Sequence, residues 1–163
     1  MLRRNTLGAL AGAALLPLLV PAAARAQDLM AVRQAALAGG TFALNSSQLA
    51  ATRAEHAGLR AFAGFEVAEQ QALLQAMQLA GLPLPATVMM PGEKLRMMQQ
   101  LQELQGRAFD ALYLRGQIDG HEELLAAHQA LRAGGGREER VISTLAVASI
   151  EQHLAMLKAM SAA

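Results

Sequence analysis

Acidic, amide and imidazole side chains recur on helix faces that otherwise carry apolar residues. In the segment FDALYLRGQIDGHEELLAAHQ, residues 109–129, positions 110, 114, 117, 121, 124 and 128 alternate steps of four and three. That spacing is typical of a seam that packs inside a helical bundle. The seam carries Asp110, Gln117, His121 and His128 beside its leucines. Imidazoles and carboxylates turned inward are ligands that divalent transition metals take.

Two other predicted helices add residues to this candidate site. Glu66 falls in the middle of an apolar face that also carries Gln70, one turn further on. His153 lies near the centre of a seam close to the end of the chain. The candidate metal ligands are therefore Glu66, Asp110, His121 and His153.

The spacing of these residues departs from that of a two-metal bundle site. Such a site takes a carboxylate from each of two helices and a Glu-x-x-His pair from each of the other two. The chain contains no Glu-x-x-His pair, and the acids two residues before His121 and His153 diverge from them on a helix. The sequence favours a buried network of polar side chains without a cofactor, and a divalent transition metal is the alternative.

The remaining histidines and serines indicate no catalytic site. His128 lies near a helix end and is expected to be partly solvated, while His56 is expected at the surface or as a helix cap. The serines show no arrangement with His and Asp that is typical of a serine hydrolase. The sequence therefore favours a protein that is not an enzyme.

The first residues have the features of a secretory signal peptide. A pair of arginines precedes an apolar run at 7–20, and the small-x-small sequence at 24–26 predicts cleavage before Gln27. The chain then divides into a signal peptide, residues 1–26, and one mature domain, residues 27–163. We expect a periplasmic or secreted protein, exported by the Sec route or, because of the paired arginines, by the twin-arginine route.

Charge and composition exclude several classes of protein. Cleavage removes three of the 14 basic residues and none of the 13 acidic ones, so the mature chain is weakly acidic. Nothing in it attracts nucleic acid. The absence of cysteine excludes disulfides, thiolate metal sites and a lipid-modified N-terminal cysteine. No mature segment is apolar over the length of a stable membrane span.

The mature chain is built for helices. Ala, Leu, Gln and Met dominate, and β-branched and aromatic residues are few. Glycines and prolines delimit four predicted helices, at about 28–55, 57–79, 93–133 and 138–160. The first is expected to bend or break at Gly39-Gly40, and the third to be irregular at Gly106. These helices predict an all-α, ferritin-like four-helix bundle, with the long connection after the second as an end-to-end crossover.

Four segments of the mature chain carry a family resemblance. They are GGTFALNSSQLA (39–50), LRAFAGFEVAEQQALL (59–74), FDALYLRGQIDGHEELL (109–125) and IEQHLAMLKAM (150–160). In this order they resemble the bacterial family called domain of unknown function 4142, sometimes labelled predicted outer membrane protein. The resemblance covers nearly all of the mature chain. It implies an exported, ferritin-like four-helix bundle and carries no settled activity.

The chain departs from the family's pattern at three places. Ala43 stands where the pattern has Glu, Glu69-Gln70 stands where it has Asp-His, and Ala148 stands where it has Pro before the last His. If the family binds a metal in its bundle, the resemblance implies that this chain has lost or weakened part of the site.

Three functional hypotheses follow. The leading one is a non-enzymatic structural or stress-related protein with a histidine-centred polar network in its core. The second is a periplasmic metal-binding or redox protein that uses the inward-facing Glu, Asp and His side chains. The third is an interaction module whose Met- and Pro-bearing connection, residues 81–92, binds a protein partner.

Overall fold

The computed structural model describes residues 22–162, with side chains from Ala26 onward. These residues form five helices and no strand: α1 (Ala22–Arg53), α2 (Ala57–Leu79), α3 (Gly92–Glu103), α4 (Gly106–Gly134) and α5 (Arg137–Ser161). The predicted all-α bundle is confirmed. Most of the predicted signal peptide lies outside the described residues, and its last five residues begin α1.

The four long helices form the bundle, and α3 belongs to the connection between α2 and α4. α1 packs along both α2 and α4, and α4 packs along α5, whereas α2 and α5 touch over a short length. The C-terminal parts of α2 and α4 line one cavity together, at Met77 and Leu131. These two helices therefore point the same way, and their connection runs from one end of the bundle to the other. Within residues 22–162, no helix combines the length and apolar character required to cross a membrane.

Gly81 ends α2 and begins the long connection. Gly81 has a φ of +70°, its N–H donates to Gln78 O at 3.0 Å, and the N–H of Leu82 donates to Met77 O at 3.0 Å. This is a Schellman motif, which ends α2 where the sequence predicted. Further on, Met90 packs against the core while Met89 is exposed. Binding of a protein partner by residues 81–92 stays a prediction.

The single helix predicted for 93–133 is wrong. The backbone is extended at Leu104 and Gln105, and Gly106 has a φ of +62°. Only glycine adopts such a φ without strain, so the helix is interrupted here and restarts. The irregularity predicted at Gly106 is thus the boundary between α3 and α4.

Of the bend or break predicted at Gly39-Gly40, the break is wrong, because α1 runs through both glycines. A Cβ at Gly39 would lie 2.8 Å from Leu124 Cδ2, and one at Gly40 would lie 2.8 Å from Gln70 Oε1. The two glycines thus let α4 and α2 approach the backbone of α1 closely. Their low helix propensity is outweighed by this packing.

Gly39→Ala is expected to destabilise the fold although alanine favours helix. The added methyl group overpacks a buried contact with Leu124, which costs about 1–3 kcal/mol, against a propensity gain of about 1 kcal/mol. Gly64→Ala is the matched control, since nothing lies within 4 Å of its Cβ position, and it should raise stability. Urea unfolding of both variants checks this; a Gly39→Ala variant as stable as Gly64→Ala would contradict the close approach.

The apolar core is divided along the bundle. One cluster is built around Phe42, Phe62, Phe109 and Tyr113, and a smaller one contains Leu124, Ala146, Ile150 and Leu154. His121 on α4 falls between the two clusters along its helix, and His153 on α5 lies within the smaller one, between Ile150 and Leu154. The two imidazoles are therefore placed where apolar side chains surround them on both sides.

Candidate metal centre

Three side chains from three helices meet in the core: Glu66 of α2, His121 of α4 and His153 of α5. Glu66 Oε2 lies 2.9 Å from His153 Nδ1 and 3.3 Å from His121 Nε2, and the two nitrogens are 3.2 Å apart. The three residues are 0%, 1% and 7% exposed. No other such cluster of His, Asp and Glu occurs in the described part of the chain. The predicted inward orientation of both imidazoles is confirmed.

Phe62 covers this cluster from one side. It lies one turn before Glu66 on the same buried face of α2 and is 1% exposed. Its ring centroid is 5.1 Å from that of His153, edge to face, and 5.9 Å from that of His121. An aromatic ring against both imidazoles excludes water and strengthens the electrostatic interactions inside.

A backbone carbonyl fixes the tautomer of His121. Its Nδ1 lies 2.8 Å from Gln117 O, one turn earlier on α4. A carbonyl oxygen only accepts, so Nδ1 carries the proton and donates. In the neutral imidazole, the lone pair is then on Nε2, which faces Glu66 and His153.

A carboxylate has the corresponding role at His153. His153 Nε2 lies 3.3 Å from Glu69 Oε2, and the Ser149 hydroxyl donates to that oxygen at 2.6 Å. When Nε2–H points to Glu69, the Nδ1 of a neutral His153 presents its lone pair to Glu66. Metal-binding histidines are usually oriented in this way by a carboxylate or carbonyl on the far nitrogen.

Sequence reasoning missed Glu69 and Ser149 as partners of the site. The family resemblance marks Glu69 only as a departure from the pattern. It lies one turn beyond Glu66, and Ser149 lies one turn before His153, so both fall on faces that already carried candidate ligands. The helical spacing was the signal that would have found them.

The two oxygens of Glu66 differ in their partners. Gln70 Nε2 donates to Oε1 at 3.0 Å. Oε2 is buried and receives no hydrogen bond of normal geometry from a described residue, although both imidazole nitrogens are close. A buried carboxylate oxygen in this position needs a positive charge beside it.

The pKa values show how the protein balances this charge without a metal. Burial alone raises the pKa of Glu66, but the interactions with His121 and His153 outweigh it and lower that pKa to about 2. Burial lowers the pKa of His153, and the neighbouring carboxylates Glu66 and Glu69 more than reverse this, so it is raised. Glu66 and Glu69 thus favour a proton on His153, which offsets the charge of the buried carboxylate.

The separations of the three atoms also fit one metal ion. Ligands bound at about 2.1 Å to a single ion are about 3.0 Å apart at octahedral angles and about 3.4 Å apart at tetrahedral ones. The observed separations of 2.9, 3.2 and 3.3 Å are close to this range. The three atoms can therefore reach one ion with small adjustments of their side chains.

The other candidates from the sequence lie elsewhere. Asp110 is not in the cluster: its carboxylate accepts from the backbone N–H of Glu55 at 3.1 Å and of His56 at 2.8 Å, and so caps the turn between α1 and α2. Asp110 lies near the start of α4, where the turn between α1 and α2 packs against it. His56 caps α2, as expected. The expectation that His128 is partly solvated is wrong, because it is buried beside Ser143 Oγ at 3.1 Å.

The burial of His128 predicts a pH dependence of stability. Burial lowers its pKa, so the unfolded chain takes up a proton near pH 6.5 while the folded protein does not. The free energy of unfolding should therefore fall as the pH drops below about 6.5, by at most about 1.4 kcal/mol per pH unit from this residue. Urea unfolding between about pH 7 and about pH 5 should show a smaller decrease for His128→Leu than for wild type; equal slopes would contradict the prediction.

Comparison with known proteins places the chain in one family. A family model described as Domain of unknown function (DUF4142) matches residues 18–160. No curated protein and no solved structure is similar enough to the chain to match it. The family description names no activity.

Proposed function

The chain belongs to the family described as Domain of unknown function (DUF4142), and we propose that it binds one divalent transition-metal ion through Glu66, His121 and His153. One observation carries the proposal. Glu66 Oε2 is buried, accepts no hydrogen bond of normal geometry from a described residue, and faces two imidazole nitrogens at 2.9 and 3.3 Å. Two imidazoles and one carboxylate on one face of an ion are a known ligand set that leaves further coordination positions open.

The groups behind the ligands support the same proposal. Gln117 O and Glu69 hold the far nitrogens of the two histidines, so that the near nitrogens keep their lone pairs. Gln70 holds the other oxygen of Glu66. A site in which all three ligands are oriented from behind needs little reorganisation when an ion enters.

The donor atoms define the class of metal. Two nitrogens and one oxygen suit Zn²⁺, Fe²⁺ and similar ions. Ca²⁺ and Mg²⁺ prefer sites made of oxygen ligands, which this cluster does not supply. We therefore expect Zn²⁺ and Co²⁺ to bind and Ca²⁺ and Mg²⁺ not to compete.

Titration of the chelator-treated protein with Zn²⁺ tests the proposal. Wild type should bind one ion per chain, and His121→Ala should bind none because one of three ligands is missing. His128→Ala is the matched control, since His128 is also a buried histidine of α4 but lies outside the cluster, and it should bind as wild type does. Wild-type protein that binds no Zn²⁺, or equal binding by His121→Ala, would refute the proposal.

A second candidate is a structural protein in which the same residues form a polar network without a metal. The raised pKa of His153, which sets a positive charge beside Glu66, favours it. Such a network specifies helix pairing in a core of small apolar residues. Thermal unfolding of the protein with and without a chelator separates the two. A lower Tm after chelation supports the metal site. A Tm that chelation does not change, in protein that contains no metal, supports the network.

We also propose that the protein is exported to the periplasm or beyond the cell. The predicted signal peptide, residues 1–26, supports this. Mass spectrometry of the protein from a periplasmic fraction should give a chain that begins at Gln27. A chain retained in the cytoplasm with residues 1–26 attached would contradict it.

A further inference from the structure

A cavity of about 430 Å³ lies between the four long helices at the end of the bundle where α2 and α4 finish. All four helices line it, for example with Leu37, Leu73, Leu131 and Ile142. Its volume is within the range of about 300–1,000 Å³ that is usual for small-molecule sites. It is separate from the histidine cluster, and Gln70 lies in the wall between the two.

The cavity exists because one apolar face of α2 is left uncovered. At helical spacing, Leu73, Leu74 and Met77 fall on the same face of α2 as the buried Leu59 and Phe62. Burial on that face ends at Gln70: Leu73 and Met77 are half-buried, and Leu74 is 37% exposed. α2 and α5 touch only over a short length, so the apolar side chains face a cavity instead of a neighbouring helix. Filling it with apolar groups removes this surface from water.

The charged groups around the cavity are already paired. Arg33 and Glu139 form a two-point ion pair, with Arg33 Nη2 donating to Glu139 Oε2 at 2.9 Å. Glu139 also accepts from the Gly136 N–H at 2.8 Å. The pKa of His128 is lowered by burial, so its imidazole is neutral near pH 7. A charged ligand would lose its hydration without gaining a counter-charge.

We propose that this cavity binds an uncharged molecule with a hydrocarbon body of small-ligand size and one hydroxyl or carbonyl group. The hydrocarbon body packs against the leucine and methionine side chains from α1 and α2. The polar group meets the neutral donors and acceptors in the wall, which are Thr41, Gln70, His128 and Ser143. This proposal does not depend on a metal in the neighbouring cluster.

A neutral fluorescent probe, N-phenyl-1-naphthylamine, tests the site in the presence of a chelator. Its fluorescence should rise in a saturable manner with one site per chain. Decanol should displace it, and decanoate, which has the same chain length and a negative charge, should be at least about tenfold weaker. Because metal is absent throughout, a probe that does not bind would leave the metal proposal unaffected. In the same way, protein that binds no Zn²⁺ would leave the cavity proposal unaffected.

Two variants decide where the probe binds. Ala36 lines the cavity, so Ala36→Phe should fill it and weaken probe binding by at least about tenfold. Ala35→Phe is the matched control, because Ala35 is exposed, does not line the cavity, and should leave binding unchanged. Leu73→Trp fills the cavity from α2 and replaces Ala36→Phe if that variant does not fold. Absence of saturable binding, equal displacement by decanoate, or equal effects of Ala35→Phe and the filling variant would each overturn the proposal.

Discussion

Glu66→Gln is expected to weaken Zn²⁺ binding by more than about 100-fold. Glutamine has nearly the same shape but lacks the negative charge, and its amide is a poor ligand for a transition metal. Loss of a group behind a ligand typically reduces metal affinity by about 10–100-fold, so loss of a direct ligand should exceed this. Isothermal titration with Zn²⁺ measures the change.

Two other Glu→Gln substitutions provide Zn²⁺ affinities with which that of Glu66→Gln is compared. Glu69→Gln removes the carboxylate behind His153 and should reduce Zn²⁺ affinity by about 10–100-fold. Glu122→Gln is the matched control, since Glu122 is an exposed residue paired with Lys158 and should have no effect. If Glu66→Gln binds Zn²⁺ within threefold of wild type, the carboxylate is not a ligand.

His121→Ala is expected to lower the free energy of unfolding of the metal-free protein by about 3–5 kcal/mol. The substitution leaves Glu66 fully buried with one of its two imidazole partners missing, and it opens a cavity against Phe62. An incompletely compensated buried charge is the larger part of this loss. Urea unfolding in the presence of a chelator measures it.

A second substitution in the same background isolates the charge. Glu66→Met in His121→Ala removes the carboxylate and should recover part of the lost stability. His128→Ala also removes a buried histidine, but its partner is the neutral Ser143, so its cost should be smaller. If His121→Ala lowers the free energy of unfolding no more than His128→Ala does, His121 does not stabilise the buried charge of Glu66.

The inward histidines were predictable because they follow from helical periodicity alone. His121 and His153 occupy seam positions, and seam positions in a four-helix bundle face the core. Glu66 followed from the same argument on α2. Periodicity does not predict how separate helices align along the bundle axis. This alignment places Glu66, His121 and His153 at the same level and Asp110 at a different one.

The errors in the predicted fold have local physical causes. Gly39-Gly40 is a point of close helix contact and not a break, and a single sequence does not distinguish these two uses of glycine. Gly106 does interrupt a helix, because its backbone adopts a positive φ. The partial exposure of Leu73 and Met77 was unpredictable for a related reason: an apolar face predicts burial but not whether another helix is near enough to cover it.

The departures from the family's pattern have a different meaning in the structure. Glu69-Gln70 stands where the resemblance implies Asp-His, which predicts a weakened metal site. In the fold, Glu69 contacts His153 and Gln70 donates to Glu66, so both residues orient the proposed ligands. A site that uses one carboxylate and two histidines as ligands does not require a third histidine at position 70.

We propose that Glu66, His121 and His153 converge on one ion. The X-ray absorption spectrum of the Zn²⁺-loaded protein tests it most directly, because imidazole rings give a characteristic scattering pattern. We predict two imidazole nitrogens and at least one oxygen at about 2.0–2.2 Å from the zinc. Zinc surrounded by oxygen alone, without imidazole scattering, would contradict the account.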